Sequence, residues 1–156
     1  MGYPVQAARL IKASLALRKR VGHRNGEAGA INELGSAYRQ MGRLAEAQQL
    51  HRRAIAAAAD AGERDVESAA LNDLGLTLSA TSRQPEALEA HRRALELATR
   101  ISHPYEQGRA LAAMAGCLQP HDQAEARRHW ERALTIFQKL GVPERFEAQR
   151  RIAMLT

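Results

Sequence analysis

Apolar residues recur along this chain with the period of a helix, not of a strand. Ile31, Leu34, Ala37 and Tyr38 fall on one helical face, and so do Leu88, Ala94, Leu95 and Ala98 further on. This spacing predicts first helices over 27–41, 66–80 and 106–118, and second helices over 44–61, 84–101 and 122–139. The punctuation agrees. Gly42, Gly62 and Gly141 stand where a left-handed C-terminal cap is wanted. Pro85 falls in a first helical turn, where its missing N–H costs nothing, and Asp122 is placed to cap the last second helix. An all-α chain follows.

The pattern also repeats. At an offset of 40, Ile31-Asn32-Glu33-Leu34-Gly35 lands on Leu71-Asn72-Asp73-Leu74-Gly75, Arg43 on Arg83 and Glu46-Ala47 on Glu86-Ala87. His51-Arg52-Arg53-Ala54-Ile55 lands on His91-Arg92-Arg93-Ala94-Leu95. A third, more diverged copy carries Leu111, Met114 and Ala115. After a one-residue deletion it continues with Ala126, Trp130, Ala133 and Leu134.

These residues resemble the tetratricopeptide-repeat (TPR) family. The shared pattern is Ile31, Leu34-Gly35, Tyr38, Ala47, His51 and Ala54. The second copy gives Leu71, Leu74-Gly75, Leu78, Ala87, His91 and Ala94, and the third Leu111, Met114-Ala115, Leu118, Ala126, Trp130 and Ala133. Residues as small as Gly35 and Ala47 let paired helices approach to about 8 Å. The resemblance implies a TPR-like α-solenoid of antiparallel helix pairs wound into a right-handed superhelix. Two departures stand out: the period is 40 where ~34 is usual, and the proline that commonly closes a copy is missing. Long second helices of this kind look like those of kinesin light chains. The run from Ala70 to Ala98 is similar to the C-terminal TPR region of SARP-type and related NTPase-containing bacterial regulators.

The copies divide the chain into 27–62, 66–102 and 106–141. Ala7, Ile11 and Ser14 align with Ala47, His51 and Ala54, so 4–22 reads as an orphan second helix of a preceding repeat. Ile152 and Leu155 make 143–156 a C-terminal capping or truncated helix. The expectation is an excerpt from a longer array; a small protein with half-repeat caps is the alternative.

Charge changes this picture at one end only. The net charge is +6, but six of the 23 basic residues lie within the first 25 positions, where there is no acid, and the other 17 balance 17 acids. Residues 9–24 are therefore the one candidate for contact with nucleic acid, a partner the neutral remainder disfavours. No run approaches the ~20 apolar residues of a membrane span, and no signal peptide is visible. The single Cys117 excludes an internal disulfide, and it shares a slot with Ala37 and Thr77 that suits a buried packing residue. A cytoplasmic and, from the Arg- and Ala-rich composition, bacterial setting is expected.

The candidate chemistry is recognition. In the family, first helices line a concave groove, and the positions this assigns to ligand are Asn32, Ser36, Arg39, Asn72, Leu76, Ser79 and Arg109. An asparagine amide carries a donor and an acceptor, so Asn32 and Asn72, one repeat apart, are suited to a peptide backbone. The competing reading is that both bond within the helical stack. Arg39 and Arg109 are suited either to an acidic ligand or to plain solvent. His51 and His91 occupy a helix-packing slot and lack the converging ligands of a metal site. The Arg pairs 52–53, 92–93 and 127–128 are interleaved with acids, as on a solvated face. No catalytic constellation and no cofactor motif is present, so the expected activity is binding of a protein, a peptide or a neighbouring domain. Homodimerisation through Leu10, Ile11 and Leu17 is the alternative.

Overall fold

The computed structural model describes residues 3–20 and 26–155, and among these it contains eight helices and no strand. They are α1 (Tyr3–Arg20), α2 (Glu27–Gln40), α3 (Leu44–Ala61), α4 (Arg64–Ala80), α5 (Gln84–Arg100), α6 (Pro104–Leu118), α7 (Gln123–Leu140) and α8 (Glu144–Met154). Each helix packs on the next. In addition α2 touches α4 and α4 touches α6, so alternate helices form one layer of a solenoid. The end of the expected first helix, Arg24 and Thr156 lie outside the described residues.

Two helices start earlier than the apolar spacing predicts. α4 begins at Arg64, and α6 at Pro104, where the His103 ring accepts from the Glu106 amide at 3.4 Å. Asp122 caps α7 as its position suggests, accepting from the Glu125 amide at 2.8 Å.

The turns at Gly42, Gly62 and Gly141 have φ of 75°, 72° and 70°. Their counterparts one copy on are Ser82 and Ser102, at φ 60° and 54°. All five turns close alike, through the amide just past the left-handed residue. Arg83 N–H, for instance, donates to Leu78 O at 3.0 Å and His103 N–H to Ala98 O at 2.8 Å. Serine gives no compositional warning of this conformation, which costs about 1–2 kcal/mol for a residue with a Cβ.

Packing rests on small residues at repeating slots. Ala47, Ala87 and Ala126 are fully buried, as are Ala54, Ala94 and Ala133. Gly35 and Gly75 are needed because an imidazole lies flat on each. A Cβ on Gly35 would sit 2.7 Å from His51 Cε1, and one on Gly75 2.6 Å from His91 Nε2. The third copy exchanges sizes. Trp130 takes the histidine slot in one cluster with Ala115, and Phe137 lies against Gly108, where the corresponding residues of the second copy are Ala98 and Ser68.

Candidate binding groove

The face built by α2, α4 and α6 carries a buried polar network. Asn32 Nδ2 donates to Asp73 Oδ2 at 2.7 Å. Since a carboxylate only accepts, the other end of that amide is its oxygen, and His51 Nδ1 must carry the proton that meets it at 2.7 Å. The second copy repeats the motif: Asn72 Nδ2 donates to Glu106 Oε2 at 2.9 Å, and His91 Nδ1 donates to Asn72 Oδ1 at 3.2 Å. Arg109 joins the two halves. Its Nη2 donates to Asp73 Oδ1 at 2.7 Å and its Nη1 to both Glu106 oxygens at 3.0 and 3.1 Å. One chain of contacts thus runs from α3 through α2, α4 and α6 to α5.

Electrostatics follow from burial. Desolvation, reinforced by Arg39 and opposed by Asp73, lowers the His51 pKa to about 4. Desolvation, reinforced by Arg109 and opposed by Asp73, lowers His91 to about 4 as well. Both rings are therefore neutral at pH 7, with Nε2 as a bare acceptor that has no partner. Burial by itself would lower the Arg109 pKa, but the Asp73 and Glu106 carboxylates outweigh it and raise it above the ordinary value. Burial pushes the Cys117 thiol up, against a weaker opposing contact from Ser79.

This geometry corrects two expectations. Asn32 and Asn72 do not stand exposed on the concave face: they are buried, and their amides are engaged within the stack. Arg109 is not a free cation for an acidic ligand, because two carboxylates already hold it. Ser36 is half-buried and donates to Asp73 Oδ2 at 3.4 Å. Arg39 is half-buried and borders neither hollow of this face.

Asn72, Leu76, Ser79 and Arg109 do come together. They line a cavity of about 490 Å³ walled by α4, α6 and α8 and floored by His91, Trp130 and Phe137. A smaller hollow lies between α1 and α2, bordered by Asn32, Glu33, Ser36 and Asp73. The residues missed from sequence are Asp73, Glu106, Glu144 and Trp130. A signal for the first two existed: their slots hold Glu33 or Ala113, and Gly26 or Val66, in the other copies. Residues that repeat build the solenoid, and polar residues that break the repeat build what is particular to it.

Elsewhere the chemistry is plain. Arg92 pairs with Glu89 at 3.6 Å, Arg127 with Glu131 at 2.9 Å, and Arg128 with Glu125. Exposed pairs of this kind contribute about 0–1 kcal/mol each. Among the described residues no group of His, Cys, Asp and Glu could hold a metal ion, and no helix is long and apolar enough to cross a membrane.

Comparison with known proteins places the repeat. Residues 26–100 match the family model described as Tetratricopeptide repeat. That stretch is similar to tetratricopeptide repeats. The TPR-like solenoid extends over the whole described chain. The apo form of RapI superposes with a TM-score of 0.83 at 14% identity, covering 98% of this chain and 43% of RapI. BtubC (BKLC) from P. vanneervenii gives a TM-score of 0.73 at 18% identity, covering 99% of this chain and 75% of BtubC. A Podosopora anserina protein described as a kinesin light chain with nearly identical TPR-like repeats gives 0.73 at 21%, covering 99% and 78%. The chain spans less than half the length of RapI. At these identities the likeness concerns the TPR fold. No curated protein shows significant sequence similarity to the chain.

Proposed function

We propose that this chain is a non-catalytic interaction module that holds a protein or peptide segment along the face formed by α2, α4, α6 and α8. The observation that carries the reading is the cavity of about 490 Å³ between α4, α6 and α8, where Leu76, Ser79 and Arg109 meet. Its apolar walls suit a side chain, and its open side suits a backbone running along the face. The asparagine amides, carboxylates and guanidinium of the polar network beneath it are paired before any partner arrives, so less ordering remains to be done on binding. The wider setting we propose is the regulatory or sensor part of a larger bacterial regulator, supported by the motif likeness of residues 70–98. The occupant is then a separate protein or a neighbouring domain of the same parent.

The test is selection of binders from a random peptide library, followed by competition. Leu76→Glu together with Ala113→Arg should abolish capture, while Arg92→Ala on the outer face should leave it intact. Capture that survives the groove changes, or is lost equally with the outer-face change, would sink the reading.

A second reading rests on α1. Leu10 is 72% exposed, whereas Leu50, in the same slot one copy on, is 9% exposed. Tyr3, Leu10 and Leu17 follow one another at intervals of seven, so they share a side of the helix. A second copy of the chain could cover them. Light scattering decides this: a monomer at high micromolar concentration removes self-association.

A further inference from the structure

We propose that the groove, taken as the partner-binding face argued above, selects a segment carrying an arginine or lysine, and that Glu144 receives the cation. This deepens the proposed function and depends on it.

The first argument is charge. The chain carries +6, yet the two hollows on this face are bordered by Glu33, Asp73, Glu144 and Glu147 against only Arg109 and Arg151. Both cations are already engaged: Arg109 by Asp73 and Glu106, and Arg151 by Glu147 at 2.7 Å. Glu144 is different. Its Oε1 accepts from the Tyr105 hydroxyl at 2.6 Å, and no cation pairs with it among the described residues. Its Oε2 is buried without any hydrogen-bond partner. An acidic ligand would meet this carboxylate with no free positive charge to offset it.

The second argument is independent of the acids. His91 and Trp130, 0% and 7% exposed, form part of the cavity's lining, and each has a polar atom with no partner. His91 Nε2 is an acceptor, because Nδ1 holds the proton. Trp130 Nε1 is a donor. Buried polar atoms left unpaired are costly, which favours a ligand that satisfies them. Joined to Glu144 Oε2, they make two acceptors and one donor around the cavity, which describe a guest with several N–H groups and a nearby carbonyl. A guanidinium or ammonium on a peptide has that set. Leu76, Ala112 and Ala113 are suited to its aliphatic stem.

The repeat explains why this lies in the third copy. In the first two, the asparagine of the first helix satisfies the histidine of the second. In the third, the corresponding residues are Ala112 and Trp130, so no amide reaches the indole and space remains.

The test uses the full chain labelled with ¹⁵N and the indole N–H of Trp130, its only tryptophan. Three capped pentapeptides serve as probes, each with four alanines and a central arginine, glutamine or glutamate. The arginine peptide should shift the indole signal saturably, and Glu144→Gln should weaken it at least about tenfold. Glu131→Gln, on the outer face, should leave it unchanged. Equal or tighter binding of the glutamate peptide would overturn the proposal. So would unchanged affinity in Glu144→Gln, or no shift with any probe. Library-selected peptides that Leu76→Glu excludes, yet that contain no basic residue, would overturn the cation preference while leaving the groove function standing.

Discussion

The first two copies and the third solve one packing problem in different ways. In copies one and two, an imidazole lies flat on a glycine and is tethered by an asparagine amide: His51 on Gly35 with Asn32, and His91 on Gly75 with Asn72. In the third, Trp130 shares a cluster with Ala115, the asparagine slot holds Ala112, and Phe137 lies against Gly108 to fill the volume. The polar solution locks neighbouring copies together through Asp73, Glu106 and Arg109. The apolar one leaves an indole N–H unpaired and a cavity beside it. A repeat can therefore conserve its backbone while assigning cohesion to one part and binding to another.

Acid should separate the two regions most. His51 and His91 each have a folded pKa of about 4 against 6.5 unfolded. Between these values the unfolded chain binds protons that the folded one refuses, so stability falls as pH drops from 6.5 to 4 and levels off below. The loss is up to about 3 kcal/mol per histidine. Urea midpoints at pH 7, 5.5 and 4.5 measure it, and a flat response would refute neutral buried imidazoles.

Arg109→Met attacks the junction. It strands two buried carboxylates and should cost about 3–5 kcal/mol. A shift in urea midpoint no larger than that of an exposed Arg92→Ala would mean the network does not bind the copies together. Asn32→Ala with Asn72→Ala should likewise lower stability, by about 1–3 kcal/mol at each site, because each change leaves a buried imidazole Nδ1–H without its acceptor.

Gly75→Ala sharpens the contrast at a single slot. Its Cβ would press on the His91 ring and should cost about 1–3 kcal/mol. The reverse change in the third copy, Ala115→Gly, should cost only about 1 kcal/mol through backbone freedom. Equal thermal shifts would show that imidazole–glycine contact is not what the first two copies depend on. The smallest effect is expected at the turns. Ser82→Gly or Ser102→Gly should raise stability by about 0.5 kcal/mol, since relief of the left-handed strain slightly exceeds the added freedom of the unfolded chain. A melting temperature that falls in both variants would contradict this.

The repeated residues were legible because they answer a local requirement. Small residues at fixed spacing and glycines at helix ends mean the same thing wherever they occur, so the helices could be read from the 40-residue period. The groove was legible only in part. Asn72, Leu76, Ser79 and Arg109 do line a cavity, but the amides of Asn32 and Asn72 bond within the stack and not to an open groove. Periodicity alone cannot distinguish an amide facing solvent from one facing a carboxylate on the next helix. Glu106 breaks the repeat, so alignment of the copies passed over it, and Asp73 shares its acidic slot with Glu33, which is exposed where Asp73 is buried.

Sequence by itself determined the all-α class, the helix pairs and the slots where helices must approach closely, because each depends on residues a few positions apart. Tertiary structure decided which polar groups are engaged and which remain open. Glu106 and Arg109 meet within α6, but Asp73 finds Arg109, and Asn72 finds Glu106, only when α4 and α6 are laid side by side, and Glu144 reaches the cavity only when α8 closes its edge. Whether a charge is neutralised depends on what lies within about 4 Å of it in space, and in a solenoid that neighbour sits a full repeat away along the chain.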